Sequence, residues 1–140
     1  SCNNHRATTL AYAKASICVL NTSLSEGQSG ALLEAAGVGT AIFARDIPGN
    51  RALLELLDVA ARGFDGDDFS SYEKVQGAHP CGFLFSNPET LAETLALLSM
   101  GDATTVNAAT RAAQRARRGA EGLAQRERDG WRDVAASLLQ

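Results

Sequence analysis

Three short, unbroken apolar runs punctuate the chain: Ser16–Leu20 (S-I-C-V-L), Thr40–Ala44 (T-A-I-F-A) and Gly82–Phe85 (G-F-L-F). None alternates with polar residues, so each reads as a strand buried on both faces, as in a parallel sheet. Between them the apolar positions recur at helical spacing. Helices are expected over Ala7–Ala15 before the first strand, Ser29–Ala36 after it, Arg51–Leu57 after the second and Pro88–Leu98 after the third. Local punctuation agrees. Gly37 and Gly39 read as helix stops, Pro48-Gly49-Asn50 as a turn, and Asn87 as an N-cap with Pro88 at the first helical position. A long Ala/Arg helix closes the chain, with a break or bend expected near Gly119 and Gly122.

The order α-β-α-β-α-β-α-α implies right-handed βαβ units and an α/β layer fold. The expectation is a partial Rossmann-like parallel sheet of about three strands with flanking helices. Doubly wound sheets usually have more strands. The chain therefore reads as the later half of a larger domain, with an open sheet edge. Residues 1–100 would form that part and 101–140 a helical tail. The stretch 60–80 is rich in Gly, Asp and Ser and long for a connection, so it reads as a solvated loop or insertion. Asp65, Asp67 and Asp68 lack the spacing and terminal Glu of an EF-hand.

Composition sharpens this picture. Of the apolar residues 25 are Ala and 17 Leu, while Ile and Val together number nine, a helix-rich balance. With 13 Lys+Arg against 16 Asp+Glu, the net charge of −3 argues against a nucleic-acid binder working by bulk charge. No apolar run approaches the length of about 20 residues that a membrane helix needs. The chain opens on Ser1, nothing near it reads as a signal peptide, and a cytoplasmic location is the default expectation. Cys2, Cys18 and Cys81 form no metal-ligand cluster and read as buried free thiols. From Arg111 on there are seven Arg against four acids, whereas residues 1–110 carry a net −6. Trp131, Val134 and Leu138 form one apolar stripe on this solvated, amphipathic tail.

The candidate chemistry lies in Asn21–Glu34 (N-T-S-L-S-E-G-Q-S-G-A-L-L-E), where the first strand gives way to a helix. In open α/β sheets ligands bind at the carboxyl ends of strands, beside helix N-termini. Gly27 allows a tight turn, and the N–H groups of Gln28, Ser29 and Gly30 would face an anion such as a diphosphate. Glu26 in the loop and Glu34 on the helix would repel phosphates. They make sense as acceptors for hydroxyl donors, Glu26 for a hexose and Glu34 for a ribose. Spacing alone favours solvent-facing positions for both, since any two glutamates can fall eight apart. A dinucleotide fingerprint at Gly37-Val38-Gly39 fails, because Ile42 stands where the third Gly belongs and helix precedes strand. His5 and His79 are isolated, and Ser25 and Ser29 have no triad partners in view.

Ser25–Arg51 (S-E-G-Q-S-G-A-L-L-E-A-A-G-V-G-T-A-I-F-A-R-D-I-P-G-N-R) resembles the E-x7-E region of the retaining GT-B glycosyltransferases known as family 4, or glycosyl transferases group 1. Gly82–Leu95 (G-F-L-F-S-N-P-E-T-L-A-E-T-L) resembles the later G-x-L-[FV]-x-x-x-[DN]-x-x-x-L-A segment of that family, in the right order. The combination S-E-G-x-S, A-R-D-I-P-G-N and L-F-S-N-P is similar to that of the animal glycosyltransferase 1 domain-containing proteins. The resemblance implies a donor-binding part of a GT-B enzyme that moves a sugar from a nucleotide sugar, such as a UDP- or GDP-sugar, to an acceptor with retention. It implies Glu26 as the catalytic-site residue touching the donor sugar, Glu34 on the ribose, and amides near Gly27, Gln28, Ser29 and Gly30 on the sugar and diphosphate. No metal and no cofactor are implied.

Departures from the pattern are equally specific. The usual Pro after the helix is replaced in Gly37-Val38-Gly39-Thr40, and Glu55 is the nearest stand-in for the acid that follows G-N-R. The family's upstream Arg/Lys pair has no counterpart, since Arg6 and Lys14 fall on the wrong helix. The N-terminal GT-B domain, which carries the acceptor site, is expected as a missing partner. The fragment is expected to be inactive alone. The alternative is a non-catalytic α/β binding or interaction module derived from the same fold.

Overall fold

The computed structural model of the chain describes residues 2–62, 69 and 72–140. The mixed α/β architecture expected from the sequence is present. Helix α1 (Cys2–Ala15) leads into strand β1 (Val19–Asn21), followed by α2 (Gly30–Val38), β2 (Ile42–Arg45) and α3 (Pro48–Ala61). Strands β3 (Ala78–His79) and β4 (Gly82–Phe85) precede α4 (Pro88–Ser99) and α5 (Ala103–Leu138). The sheet order is β1-β2-β4-β3. β1, β2 and β4 are parallel, with Leu20 opposite Phe43 and Phe43 opposite Phe83.

The second and third apolar runs are largely buried because helices cover both sides of β2 and β4, whereas the first, Ser16–Leu20, is not buried as expected. Successive side chains of a strand point to opposite faces. Ile42 and Ala44 thus join Leu32, Ala35 and Ala36 of α2 and Leu53, Leu54 and Leu57 of α3 in one core. Phe43, Phe83 and Phe85 face the other way and pack with Ala108, Ala109 and Ala112 of α5. Their rings stack, with Phe43 and Phe83 centroids 4.5 Å apart. β1 lies at the sheet edge, and there Leu20 is 46% exposed.

Three expectations need correction. First, α5 is one continuous helix of 36 residues, not broken at Gly119 or Gly122. A Cβ at Gly119 would stand 2.2 Å from the carbonyl oxygen of Leu57, and one at Gly122 2.8 Å from that of Ala60. The glycines are contact points where α5 lies against α3, and that packing outweighs their poor helix propensity. At the same crossing Arg115 Nε donates to Asp58 Oδ1 at 2.6 Å, with both side chains largely buried.

Second, Pro48-Gly49-Asn50 is not a turn before a helix but the first turn of α3, with Pro48 in the position where its missing N–H is no loss. Third, part of 60–80 belongs to the core. Tyr72 is buried, its hydroxyl donates to the Pro80 carbonyl at 3.0 Å, and Phe69 and Val75 pack beside it. The stretch also supplies β3, which pairs antiparallel with β4 and makes the sheet four-stranded. Gly77 enters this pairing at φ +76°, a conformation that favours glycine. Asp65, Asp67 and Asp68 lie outside the described residues.

The ends at Gly39 and Asn87 follow the sequence, whereas Gly37 lies inside α2 and Ser29 caps the helix it was expected to begin. Ser29 accepts from Leu32 N–H to cap α2, and Gly39 closes that helix at φ +78°. Asn87 caps α4 and Asp102 caps α5. Both the Thr105 hydroxyl (2.7 Å) and the Thr105 N–H (3.0 Å) donate to Asp102 Oδ2. These bonds hold its carboxyl below the ordinary carboxylate range. A depressed carboxyl stabilises the fold fully above its unfolded pKa, and that stability is lost as pH falls through the folded value. Asp102→Asn is therefore expected to lower the melting temperature at pH 7 and to lower it less at pH 2–3. An equal loss at both pH values in thermal melts refutes the assignment.

Candidate functional site

β1, β2 and β4 run parallel and end on one side of the sheet, at Asn21, Arg45 and Phe85. A cleft of about 130 Å³ opens there, lined by Asn21, Thr22, Arg45, Phe85, Ser86 and Asn87 among others. Such crevices at strand carboxyl ends are where α/β sheets bind ligands. A larger cavity of about 440 Å³ lies at the far end of α2, beside Lys14, Gly39 and Arg117. Neither the cleft nor this cavity is lined by Glu26, Gly27, Gln28, Ser29, Gly30 or Glu34.

The loop between β1 and α2 is organised by Asn21. Its Oδ1 accepts from Ser23 N–H at 3.0 Å. Its Nδ2 donates to Glu26 Oε1 at 3.3 Å and to Ser29 Oγ at 3.2 Å. Glu26, half-buried, and Ser29, buried, are thus brought to the same side-chain amide. Gln28 and Gly30 are exposed at the start of α2, where its free N–H groups concentrate positive potential.

Gly27 sits at a bend, as expected, yet the bend does not require a glycine. Its φ is not positive, and a Cβ on it or on Gly30 would meet nothing within 4 Å. Both glycines border open space rather than packed protein. The glycine that the loop does require is Gly49 on α3. A Cβ there would lie 1.9 Å from the Glu26 carbonyl oxygen and 3.0 Å from that of Gly27. The first turn of α3 is therefore the seat on which the Glu26 loop rests.

Glu34 lies on α2 beyond the loop, apart from the Asn21–Glu26 hydrogen bond. Its partner is Arg6 of α1, at 3.3 Å. The Arg6 side chain is 70% exposed, so this is a surface ion pair that contributes little and yields readily to a ligand. Lys14 is exposed on α1, away from the loop. Glu55 is not brought to the site either. It pairs with His79, whose Nε2 is 3.1 Å from Glu55 Oε1. His79 Nδ1 accepts from the Cys81 N–H, which assigns the proton to Nε2. His79 thus anchors β3 to α3. Among the described residues no three His, Cys, Asp or Glu side chains converge. Burial pushes the Cys18 thiol up, as for an unreactive half-buried cysteine.

Two residues at the site have no role that the sequence reveals: Asn21, at the start of the loop, and Asn50, which reads as part of a turn. The available signal was an Asn directly after a buried strand and another in the first turn of a helix. Neither reveals its partners without the fold.

No protein-family model matches the chain, and no solved structure does. A stretch of 45 residues is 49% identical to "Glycosyltransferase 1 domain-containing protein 1" of Xenopus tropicalis. The match takes in 32% of this chain and only 13% of that protein. Over that stretch the chain is glycosyltransferase-like.

Proposed function

We propose that this chain is the donor-binding part of a retaining GT-B glycosyltransferase of family 4. The reading rests chiefly on one arrangement: the Glu26 loop and the N-terminus of α2 at the carboxyl end of β1, with Glu34 farther along the same helix. It is supported by the similarity to a glycosyltransferase domain-containing protein.

In this reading the donor is a nucleotide sugar such as a UDP- or GDP-sugar. Its diphosphate lies against the α2 amides, in the open space bordered by Gly27 and Gly30. Charge that develops on the departing diphosphate is stabilised by these pre-oriented dipoles, which need no reorganisation as the bond breaks. Glu26 accepts hydrogen bonds from sugar hydroxyls and is the catalytic-site residue. Glu34 accepts from the ribose hydroxyls after releasing Arg6. Transfer takes place with retention, without a metal or further cofactor. The acceptor binds on another part of the whole protein.

Calorimetric titration of UDP, GDP and their sugar conjugates into the chain tests the proposal, after circular dichroism establishes folding. Glu34→Ala removes acceptors from two ribose hydroxyls and is expected to weaken nucleotide binding by roughly tenfold or more, the worth of one hydrogen bond to a charged group. A folded chain that binds none of these ligands, or binds them equally well without Glu34, overturns it.

A further inference from the structure

We propose that Asn50 and Asn21 are positioning residues: a one-way amide relay that starts at the carboxyl end of β2 and fixes the carboxylate of Glu26. The proposal rests on the donor-binding reading for its effect on ligands, though the relay itself is a property of the ligand-free chain.

Asn50 is completely buried. Its Nδ2 donates to the Arg45 carbonyl at 3.0 Å and to Asn21 Oδ1 at 3.4 Å. The Arg45 partner is a pure acceptor, so the NH2 end of Asn50 must face it. Asn21 Oδ1 also takes the Ser23 N–H, which turns the Asn21 NH2 towards Glu26 and Ser29. Every amide in the series therefore has a determined orientation: Arg45 carbonyl, Asn50, Asn21, Glu26. Reversing either amide would set carbonyl against carbonyl and N–H against N–H.

Burial of Asn50 has a consequence that packing alone does not explain. Its Oδ1 is buried with no hydrogen-bond partner, the only such side-chain atom among the described residues. An apolar residue of similar shape would avoid that penalty. The polar group at this position makes sense through what its other end does. It ties the last residue of β2 to the loop that carries Glu26, and Gly49 beside it seats the same loop. Glu26 is held through Oε1, which leaves Oε2 to meet a hydroxyl-bearing ligand. A pre-oriented acceptor loses less freedom on binding than a mobile one.

Two readouts separate the relay from the donor reading. In the ligand-free chain labelled with nitrogen-15, Asn50→Leu is expected to shift the Asn21 side-chain amide signals and speed their hydrogen exchange. Glu26→Gln should shift the same signals. Asn21 signals that ignore both changes overturn the relay, whatever the chain binds.

The second readout is the affinity gained when a sugar is added to the bare nucleoside diphosphate. Asn50→Leu is expected to reduce that gain by about fivefold while leaving diphosphate affinity within about twofold. Glu26→Ala should reduce it similarly, and the double variant no further than either single change. Equal loss for both ligands means a general structural role and overturns the proposal, as does an unchanged gain. If Asn50→Leu does not fold, Glu26→Gln carries the amide measurement and Asn21→Ala the affinity measurement. If no nucleotide sugar binds even the unaltered chain, the donor reading fails and the amide signals alone decide the relay.

Discussion

Replacing Gly119 by alanine is expected to destabilise the chain by about 3 kcal/mol, the upper part of the range for overpacking a close contact. Alanine is ordinarily the better helix former by about 1 kcal/mol. The sign reverses here because the new Cβ would stand 2.2 Å from the Leu57 carbonyl oxygen, 2.8 Å from its carbonyl carbon and 2.9 Å from its Cα. All three are backbone atoms of α3, so no side chain can swing aside. Relief requires α5 to lift off α3, which also disturbs the Arg115–Asp58 pair and the packing of Ala116 and Leu123. Gly130→Ala is the control. It lies on the exposed end of the same helix with nothing within 4 Å of the new Cβ, so it should be neutral or slightly stabilising. Urea titrations of the two variants check the pair. Equal effects would mean that the α3–α5 crossing does not depend on Gly119.

Gly49→Ala is expected to act on the site itself. Its Cβ would fall 1.9 Å from the Glu26 carbonyl oxygen and 2.7 Å from the carbonyl carbon. The Glu26–Gly27 backbone must then move by more than an ångström, or the first turn of α3 must unwind. A stability loss of about 2–3 kcal/mol is expected. Amide NMR shifts should change over residues 22–29, which separates this variant from one that merely weakens α3. Gly37→Ala, where a Cβ meets open space, should leave those shifts alone. A Gly49→Ala chain with unaltered loop shifts would show that α3 does not seat the Glu26 loop.

These glycines mark the boundary of what pattern can reveal. In the sequence Gly119 reads as a helix breaker and Gly49 as a turn residue, because local propensity is the only warrant available there. Both are helical. Each is small because another backbone, distant in sequence, passes close by. Gly27 shows the converse: a glycine in a loop reads as a conformational need, yet its Cβ would meet nothing. The two-residue β3 was illegible for a similar reason. Its pairing depends on Gly77 and on β4, not on any apolar run of its own.

The sequence by itself determined three parallel strands, the order of helices between them, the helix stop at Gly39 and the cap at Asn87. It also singled out the loop from Asn21 to Glu34. Those features follow from local spacing, capping chemistry and a two-faced core, all written in neighbouring residues. Only the tertiary structure decided that α5 is unbroken, that Tyr72 belongs to the core, and that Glu55 serves His79 rather than the site. It alone joined Asn50 to Asn21 and through it to Glu26. Each of these depends on contacts between segments far apart in the chain, where sequence distance carries no geometric information. At those positions close packing and buried hydrogen bonds override local preference.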